Sequence, residues 1–181
     1  MLGFRLPRLL LATFFAFGVL MSCGSSARAS IEVYLDFASG DFNARVDTAL
    51  GRASTAAERT AIRAGIETNL GTMYSGYAVN FDSSTPSGVY TTLNFGLTGG
   101  GLGVADHIDY RNQDLTDTAR IFTGNFGFIV ESGDTHAQQI AELTMALSGT
   151  AAHELGHNLG LRHYDSYSDV SFNGTNPAAT S

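Results

Sequence analysis

The sequence HELGHNLGLRH, which runs from His153 to His163, carries the pattern from which the fold and function of the chain can be inferred. His153 and His157 are four positions apart, so on a helix they lie on one face, one turn above the other. Two neutral imidazoles in this arrangement can bind one zinc ion, and a catalytic zinc site keeps a position open for water. Glu154 would stand beside the metal, where a general base for the attacking water belongs. The segment therefore predicts a metal site on a helix.

A glycine three residues after the second histidine extends this pattern. Gly160 tolerates a positive φ, so it can end the helix and turn the chain sharply. That turn would bring His163 back toward the metal as a third ligand. Asp165 and Asp169 also offer oxygen ligands, but His163 fits the spacing better. No glutamate follows Glu154, which excludes zinc sites that take a downstream glutamate as their third ligand.

With every fixed position matched, residues 153–163 resemble the long zinc motif of the metzincin metallopeptidases, H-E-x-x-H-x-x-G-x-x-H. The resemblance implies a Zn²⁺ ion held by His153, His157 and His163. It also implies that Glu154 is the catalytic general base of a zinc-dependent endopeptidase acting on a protein or peptide substrate. The alternative is a buried helix whose histidines only satisfy hydrogen bonds, but so many polar side chains would be costly to bury without a metal.

Two features depart from the metzincin pattern. The residue after the third histidine often marks the subfamily, and Tyr164 assigns none; we expect a matrixin-like or related bacterial secreted form. Metzincins also have a methionine-containing turn beneath the zinc, whereas no methionine follows His163. We therefore expect a domain truncated after the third histidine, or else an unusual floor to the site. The same absence keeps open a second interpretation, a secreted zinc-binding interaction module without catalysis, against which the intact Glu154 argues.

Residues 1–29 have the pattern of an export signal. Two early arginines precede an apolar run over residues 9–21, which is short for a membrane span. Residues 27–29 have the small-x-small form of a signal-peptidase site, and this form of cleavage is favoured. Residues 20–23 instead resemble a bacterial lipoprotein box, in which Cys23 would carry lipid. We expect a secreted protein, or an envelope-anchored lipoprotein that meets the membrane only if Cys23 is lipidated.

The remainder, residues 30–181, is expected to form one globular domain. Hydrophobic residues make up 44% of the chain and charged residues 15%, which is not the composition of a disordered chain. The formal net charge of −7 argues against a nucleic-acid partner, because phosphate binding needs a basic patch. The one cysteine is Cys23, so the domain can form no internal disulfide.

The pattern upstream of the zinc motif predicts an α+β domain. Alternating or β-branched segments predict strands at 31–37, 77–81, 89–95, 119–122 and 126–130. Residues 38–53 are interpreted as a connection, followed by one packing helix over 55–74 that begins with a capping box. The active-site helix is predicted over 136–159, with a possible bend at Gly149. The metzincin resemblance implies a twisted mixed sheet whose antiparallel edge strand, within 102–130, pairs with extended substrate.

A dense set of oxygen ligands lies in residues 106–117: Asp106, Asp109, Asn112, Asp114 and Asp117. They could bind Ca²⁺, but their spacing does not match an EF-hand loop, and a solvated acidic loop is favoured. His107 is in the same loop. It is interpreted as a lone exposed histidine, although a role as a second metal ligand stays open.

Overall fold

The structure is a computed structural model that describes residues 30–131 and 133–163 of the 181-residue chain. Its elements are, in chain order, β1 (Ile31–Asp36), α1 (Phe42–Leu50), α2 (Ala56–Met73), β2 (Val79–Asp82), β3 (Thr91–Asn94), β4 (Gly103–Ala105), β5 (Thr118–Ile121), a 3-10 helix (Thr123–Ile129) and α3 (His136–Asn158). The predictions about the export signal, Cys23, Tyr164 and the alternative ligands Asp165 and Asp169 fall outside the described residues. None of the helices described is both long and apolar enough to span a bilayer.

The five described strands form one mixed sheet in the order β2-β1-β3-β5-β4. Strand β1 pairs parallel with β2 and β3, and β3 pairs parallel with β5. Strand β4 lies at the edge and runs antiparallel to β5, with Val104 opposite Arg120. The predicted mixed sheet with an antiparallel edge strand is therefore confirmed. Because three of the four strand pairs are parallel, the fold class is α/β rather than the predicted α+β.

The core lies between the sheet and the helices. Strand β1 contributes Val33 and Leu35, which are fully buried. Helix α2 contributes Ile62, Ile66 and Leu70, spaced four residues apart on one face. The buried face of α3 follows the same spacing, with Leu143, Leu147, Ala151 and Leu155. This stripe places α3 on the sheet, and the last turn of the helix, residues 154–158, is buried on every side.

Helices α2 and α3 also pack against each other at close range. A Cβ on Gly65 would lie 2.6 Å from Cγ2 of Thr144, so the glycine permits the close approach of the two helices. The Nδ2 amide of Asn69 donates a hydrogen bond to Oγ of Ser148 over 3.1 Å. Helix α3 is continuous through Gly149. The helix that carries the metal motif is thus held by both the sheet and α2.

Both long helices begin with a capping box. In α2 the hydroxyl of Thr55 accepts from the backbone N–H of Glu58, whose carboxylate accepts from the Thr55 N–H in return. This cap was predicted and is confirmed. In α3 the same arrangement joins Thr135 and Gln138. The two caps satisfy N–H groups that the first turn of a helix leaves free.

Two predicted segments were wrong. Residues 42–50 form α1 rather than a connection, so two helices rather than one precede the active-site helix. Asp41 caps α1, and Gly51 ends it at φ 63°. Residues 123–129 form a 3-10 helix, where a strand was predicted over 126–130. The two edges of β5 are already paired with β3 and β4, and the 3-10 helix packs on α1 instead.

Candidate metal centre

The last turn of α3 and the segment after it bring three imidazoles together. The Nε2 atom of His157 lies 3.2 Å from Nε2 of His153 and 3.1 Å from Nε2 of His163. Zinc–nitrogen bonds of about 2.0–2.1 Å in a tetrahedral site would separate two ligand nitrogens by about 3.3–3.4 Å. The three nitrogens are therefore close to the spacing that one small cation requires, and the group could hold a metal ion. We call these residues the histidine cluster.

The turn after α3 explains how the third histidine returns. Gly160 adopts φ +91°, in the left-handed region that a side chain disfavours. A Cβ there would also lie 2.7 Å from the backbone oxygen of Asp109. Both the backbone conformation and this close approach therefore exclude a residue larger than glycine. The N–H of Leu161 donates back to the carbonyl of Gly156 over 2.8 Å and closes the turn. The helix end predicted at this glycine is thus observed.

A contact made by its Nδ1 atom orients the imidazole of His157. Its Nδ1 lies 2.8 Å from the backbone oxygen of Leu161. With Nδ1–H as the donor, Nε2 carries the lone pair that a metal needs. His157 is buried, whereas His153 and His163 are exposed. Partial desolvation of its ring chiefly, and then the neighbouring imidazole of His157, lowers the pKa of His153 and favours its neutral, ligand-competent form.

Glu154 faces the edge strand rather than the core of the histidine cluster. It is 8% exposed. A Cβ on Gly103 of β4 would lie 2.8 Å from Cγ and 2.9 Å from Oε1 of Glu154, so the carboxylate lies against the strand. A cleft of ≈ 340 Å³ between β4 and α3 is lined by Gly103, Thr150, His153 and Glu154, together with Leu102 and Gly149. One histidine of the cluster, the candidate base and the sheet edge therefore share a cleft.

A larger cavity lies away from this chemistry. It has a volume of ≈ 650 Å³, and its lining includes Ile31 of β1, Tyr74, and Ala152 and Leu159 near the end of α3. Among the described residues, its lining is mostly apolar and contains no carboxylate, histidine or cationic side chain. Size alone therefore does not mark the candidate site in this protein.

A second group of ligand-type side chains lies in the connection between β4 and β5. One ligand atom each from His107, Asp114 and Asp117 lies within 4.8 Å of the others. The prediction of a solvated acidic loop is confirmed for Asp106 and Asp114, which are exposed, but not for Asp109 and Asp117, which are 8% and 3% exposed. His107 is exposed as predicted but not alone, because its Nε2 lies 3.0 Å from Asp117. We call His107, Asp114 and Asp117 the loop cluster. The one sequence signal for this burial was the position of Asp117 directly before a strand.

The calcium prediction for residues 106–117 is not supported by any all-oxygen group among the described residues. Asp106 pairs with Arg120. The carboxylate of Asp109 accepts the backbone N–H of Asp114 over 2.7 Å.

Comparison with known proteins does not assign the chain to a family. No family model, no curated protein and no solved structure matches the chain. The case for its function therefore rests on its own residues and their arrangement.

Proposed function

We propose that this protein is a secreted zinc-dependent endopeptidase of the metzincin type. The observation that carries the proposal is the convergence of the Nε2 atoms of His153, His157 and His163. Glu154 and the antiparallel edge strand lie beside that cluster in one cleft. The expectation of secretion rests on the sequence of residues 1–29.

The donor set favours zinc. Imidazole nitrogen suits zinc, copper, iron and nickel, whereas calcium takes six to eight oxygen ligands and magnesium also prefers oxygen. Three protein nitrogens with the remaining position open are the arrangement of a catalytic zinc site. The hydrogen bond from His157 Nδ1 to the Leu161 carbonyl fixes one ligand in place, as the outer contacts of zinc-bound histidines do.

Each group in the cleft then has a role in peptide hydrolysis. Bound zinc would supply the Lewis acidity that activates water at neutral pH. Glu154 accepts the proton of the attacking water and passes it to the amide nitrogen as that nitrogen leaves. Strand β4 offers its outer edge to an extended peptide, which would add to the sheet through main-chain hydrogen bonds. Because Gly103 has no side chain, it leaves room for Glu154 beneath that peptide.

The alternative interpretation is a zinc-binding interaction module that does not catalyse. It uses the same three histidines but gives Glu154 no chemical task.

Glu154→Gln separates the two functions because it keeps the shape of the side chain and removes the base. We expect the zinc-loaded variant to retain the zinc content of the wild type and to cleave an unfolded protein at least about 100-fold more slowly. Glu142→Gln is the matched control, since Glu142 is exposed on the same helix, and it should cleave at the wild-type rate.

Two outcomes would contradict the peptidase. Cleavage at the wild-type rate by Glu154→Gln would remove the glutamate from the mechanism. A wild-type protein that binds zinc at the histidine cluster and cleaves nothing would favour the interaction module.

A further inference from the structure

The loop cluster contains a carboxylate whose burial is not compensated by hydrogen bonds. Asp117 is 3% exposed, and neither of its side-chain oxygens accepts a hydrogen bond from any residue that the structure describes. Burying a charged group without donors is costly, and such groups in folded proteins call for a partner. The backbone of Asp117 cannot move away, because its carbonyl accepts the N–H of Thr92 on β3 over 2.9 Å.

His107 is close to this carboxylate without being a hydrogen-bond donor to it. Its Nε2 lies 3.0 Å from Oδ1 of Asp117, yet the contact lacks the alignment of a hydrogen bond. Two ligands of one cation can approach each other this closely without a hydrogen bond, because each offers a lone pair to the ion. The side chain of His107 is 52% exposed, which leaves the site open to solvent and to an entering ion.

Asp114 completes the group and is held in place. Its Oδ1 accepts from both the N–H and the hydroxyl of Thr116, over 2.8 and 2.6 Å. Its own N–H donates to Asp109. These contacts orient the Asp114 carboxylate as outer hydrogen bonds orient metal ligands. Residues 106–117 hold four aspartates and one arginine, so the loop carries an excess of negative charge.

We propose that His107, Asp114 and Asp117 form a second metal site, which takes a divalent transition-metal ion of the zinc type and is separate from the histidine cluster. One imidazole nitrogen and two carboxylates are donors that zinc accepts, with water filling the remaining position. Calcium would need several more oxygens than the loop cluster offers.

The position of this site indicates a structural role. Asp117 directly precedes β5, and the loop that holds the cluster is fastened to α3 because the N–H of Asp109 donates to the carbonyl of His157 over 3.1 Å. An ion at the loop cluster would therefore join the start of β5 to the loop that packs against the turn at Gly160. Because an ion that binds only the folded state stabilises it, zinc at this site should raise the melting temperature.

The test is a metal count and a thermal melt on the full chain, with zinc alone and calcium alone as the probes. We expect the wild type to retain two equivalents of zinc after dialysis and Asp117→Asn to retain one. Zinc should raise the melting temperature of Asp117→Asn less than that of the wild type.

His107→Ala, at a half-exposed position, should also retain one equivalent and serves if Asp117→Asn folds poorly. Asp106→Asn is the matched control, because it removes the same charge from the same loop, and it should retain two.

The two sites are distinguished by combining variants. His157→Ala removes a ligand of the histidine cluster and should retain the one equivalent at the loop cluster, whereas His107→Ala combined with His157→Ala should retain none. Two equivalents in both Asp117→Asn and His107→Ala would overturn the proposal, as would a single wild-type equivalent that is lost in His157→Ala. A melting temperature raised by calcium and not by zinc would overturn the assignment of the ion.

Discussion

The histidine cluster and the loop cluster are built in opposite ways. The histidine cluster draws all its members from eleven consecutive residues, and one helix turn and one glycine bring them together. The loop cluster depends on a strand register and on the burial of Asp117 against the sheet. A site made by local geometry is visible in a sequence, whereas a site made by burial is visible only once the chain is folded.

The two clusters nevertheless meet where the backbone of Asp109 packs against His157 and Gly160, a contact that we call the joint. The backbone of Asp109 donates to the carbonyl of His157, and the oxygen of Asp109 would meet a side chain placed at Gly160. The loop and the helix end therefore hold each other. Variants on either side of this joint show how far the two clusters are independent.

Removing the buried histidine should have the largest effect. His157→Ala leaves two exposed histidines, so we expect loss of the metal at the histidine cluster and loss of all hydrolysis, with the loop cluster unchanged. Metal content and cleavage of an unfolded protein measure this. His136→Ala is the control on the same helix, because His136 is exposed and far along the helix from the cluster. Undiminished zinc in His157→Ala would refute the ligand assignment.

Gly160→Ala acts on the joint and should disturb both clusters. A left-handed φ costs a non-glycine residue about 1–2 kcal/mol, and overpacking against Asp109 adds typically 1–3 kcal/mol. We expect weaker zinc binding at both clusters and a free energy of unfolding lower by about 2–4 kcal/mol, measured by urea denaturation.

The Gly51→Ala variant separates the cost of the left-handed conformation from the cost of the steric contact, both of which Gly160→Ala incurs. Gly51 also has a positive φ, of 63°, but an added Cβ would meet nothing within 4 Å. It should lose only about 1 kcal/mol and leave both metal sites intact. Equal losses at Gly160 and Gly51 would mean that the close approach of the loop contributes nothing.

Gly103→Ala should separate catalysis from metal binding. The new Cβ would displace the Glu154 side chain and Thr150 from the cleft. Because both contacts are with side chains, we expect a stability loss below about 1 kcal/mol, full zinc content, and hydrolysis slowed at least about 10-fold. Gly100→Ala is the control in the preceding loop, where an added Cβ meets nothing within 4 Å. An unchanged cleavage rate in Gly103→Ala would contradict the placement of Glu154.

The same contrast between local and distant causes explains which parts of the fold could be predicted. Helix α2 and its capping box were visible because a periodic apolar face and a cap are local signals. Helix α1 has nine residues, too few to be stable alone, and it forms because it packs on the 3-10 helix. The apolar run at 126–130 fits a strand or a buried helix equally by pattern, and the pairing of β5 on both sides decided against a strand.

The candidate sites divide in the same way. The three histidines and Glu154 were named from their spacing and from the resemblance to the metzincin motif. The structure brings the three histidines together and places His153 and Glu154 in one cleft. The burial of Asp109 and Asp117 was missed, because acidic residues between strands are usually solvated and the position of Asp117 directly before a strand is a weak signal for burial.

The smallest expected effect is the change in stability on replacing Glu58, whose carboxylate differs from that of Asp117 in its hydrogen bonds. Glu58 has donors that Asp117 lacks: hydrogen bonds from Arg52, followed by the cap at Thr55, lower its pKa to about 2. Burial without donors raises the pKa of Asp117 instead. Arg52 also donates to Gln139 at the start of α3, so the Glu58 pair ties the two capped helix ends together.

Because the folded pKa of Glu58 is depressed, its stabilising contribution is fully present above about pH 4.5 and is lost as the pH falls toward about 2. Glu58→Gln keeps a capping-box residue and removes only the charge. We expect the variant to unfold at lower urea than the wild type at pH 7, by about 1 kcal/mol or less, and this difference to shrink steadily below pH 4.5. Glu67→Gln, on the same helix, is the charge control. A difference that persists unchanged at pH 2.5 would show that the ionised form of Glu58 is not what stabilises the helix ends.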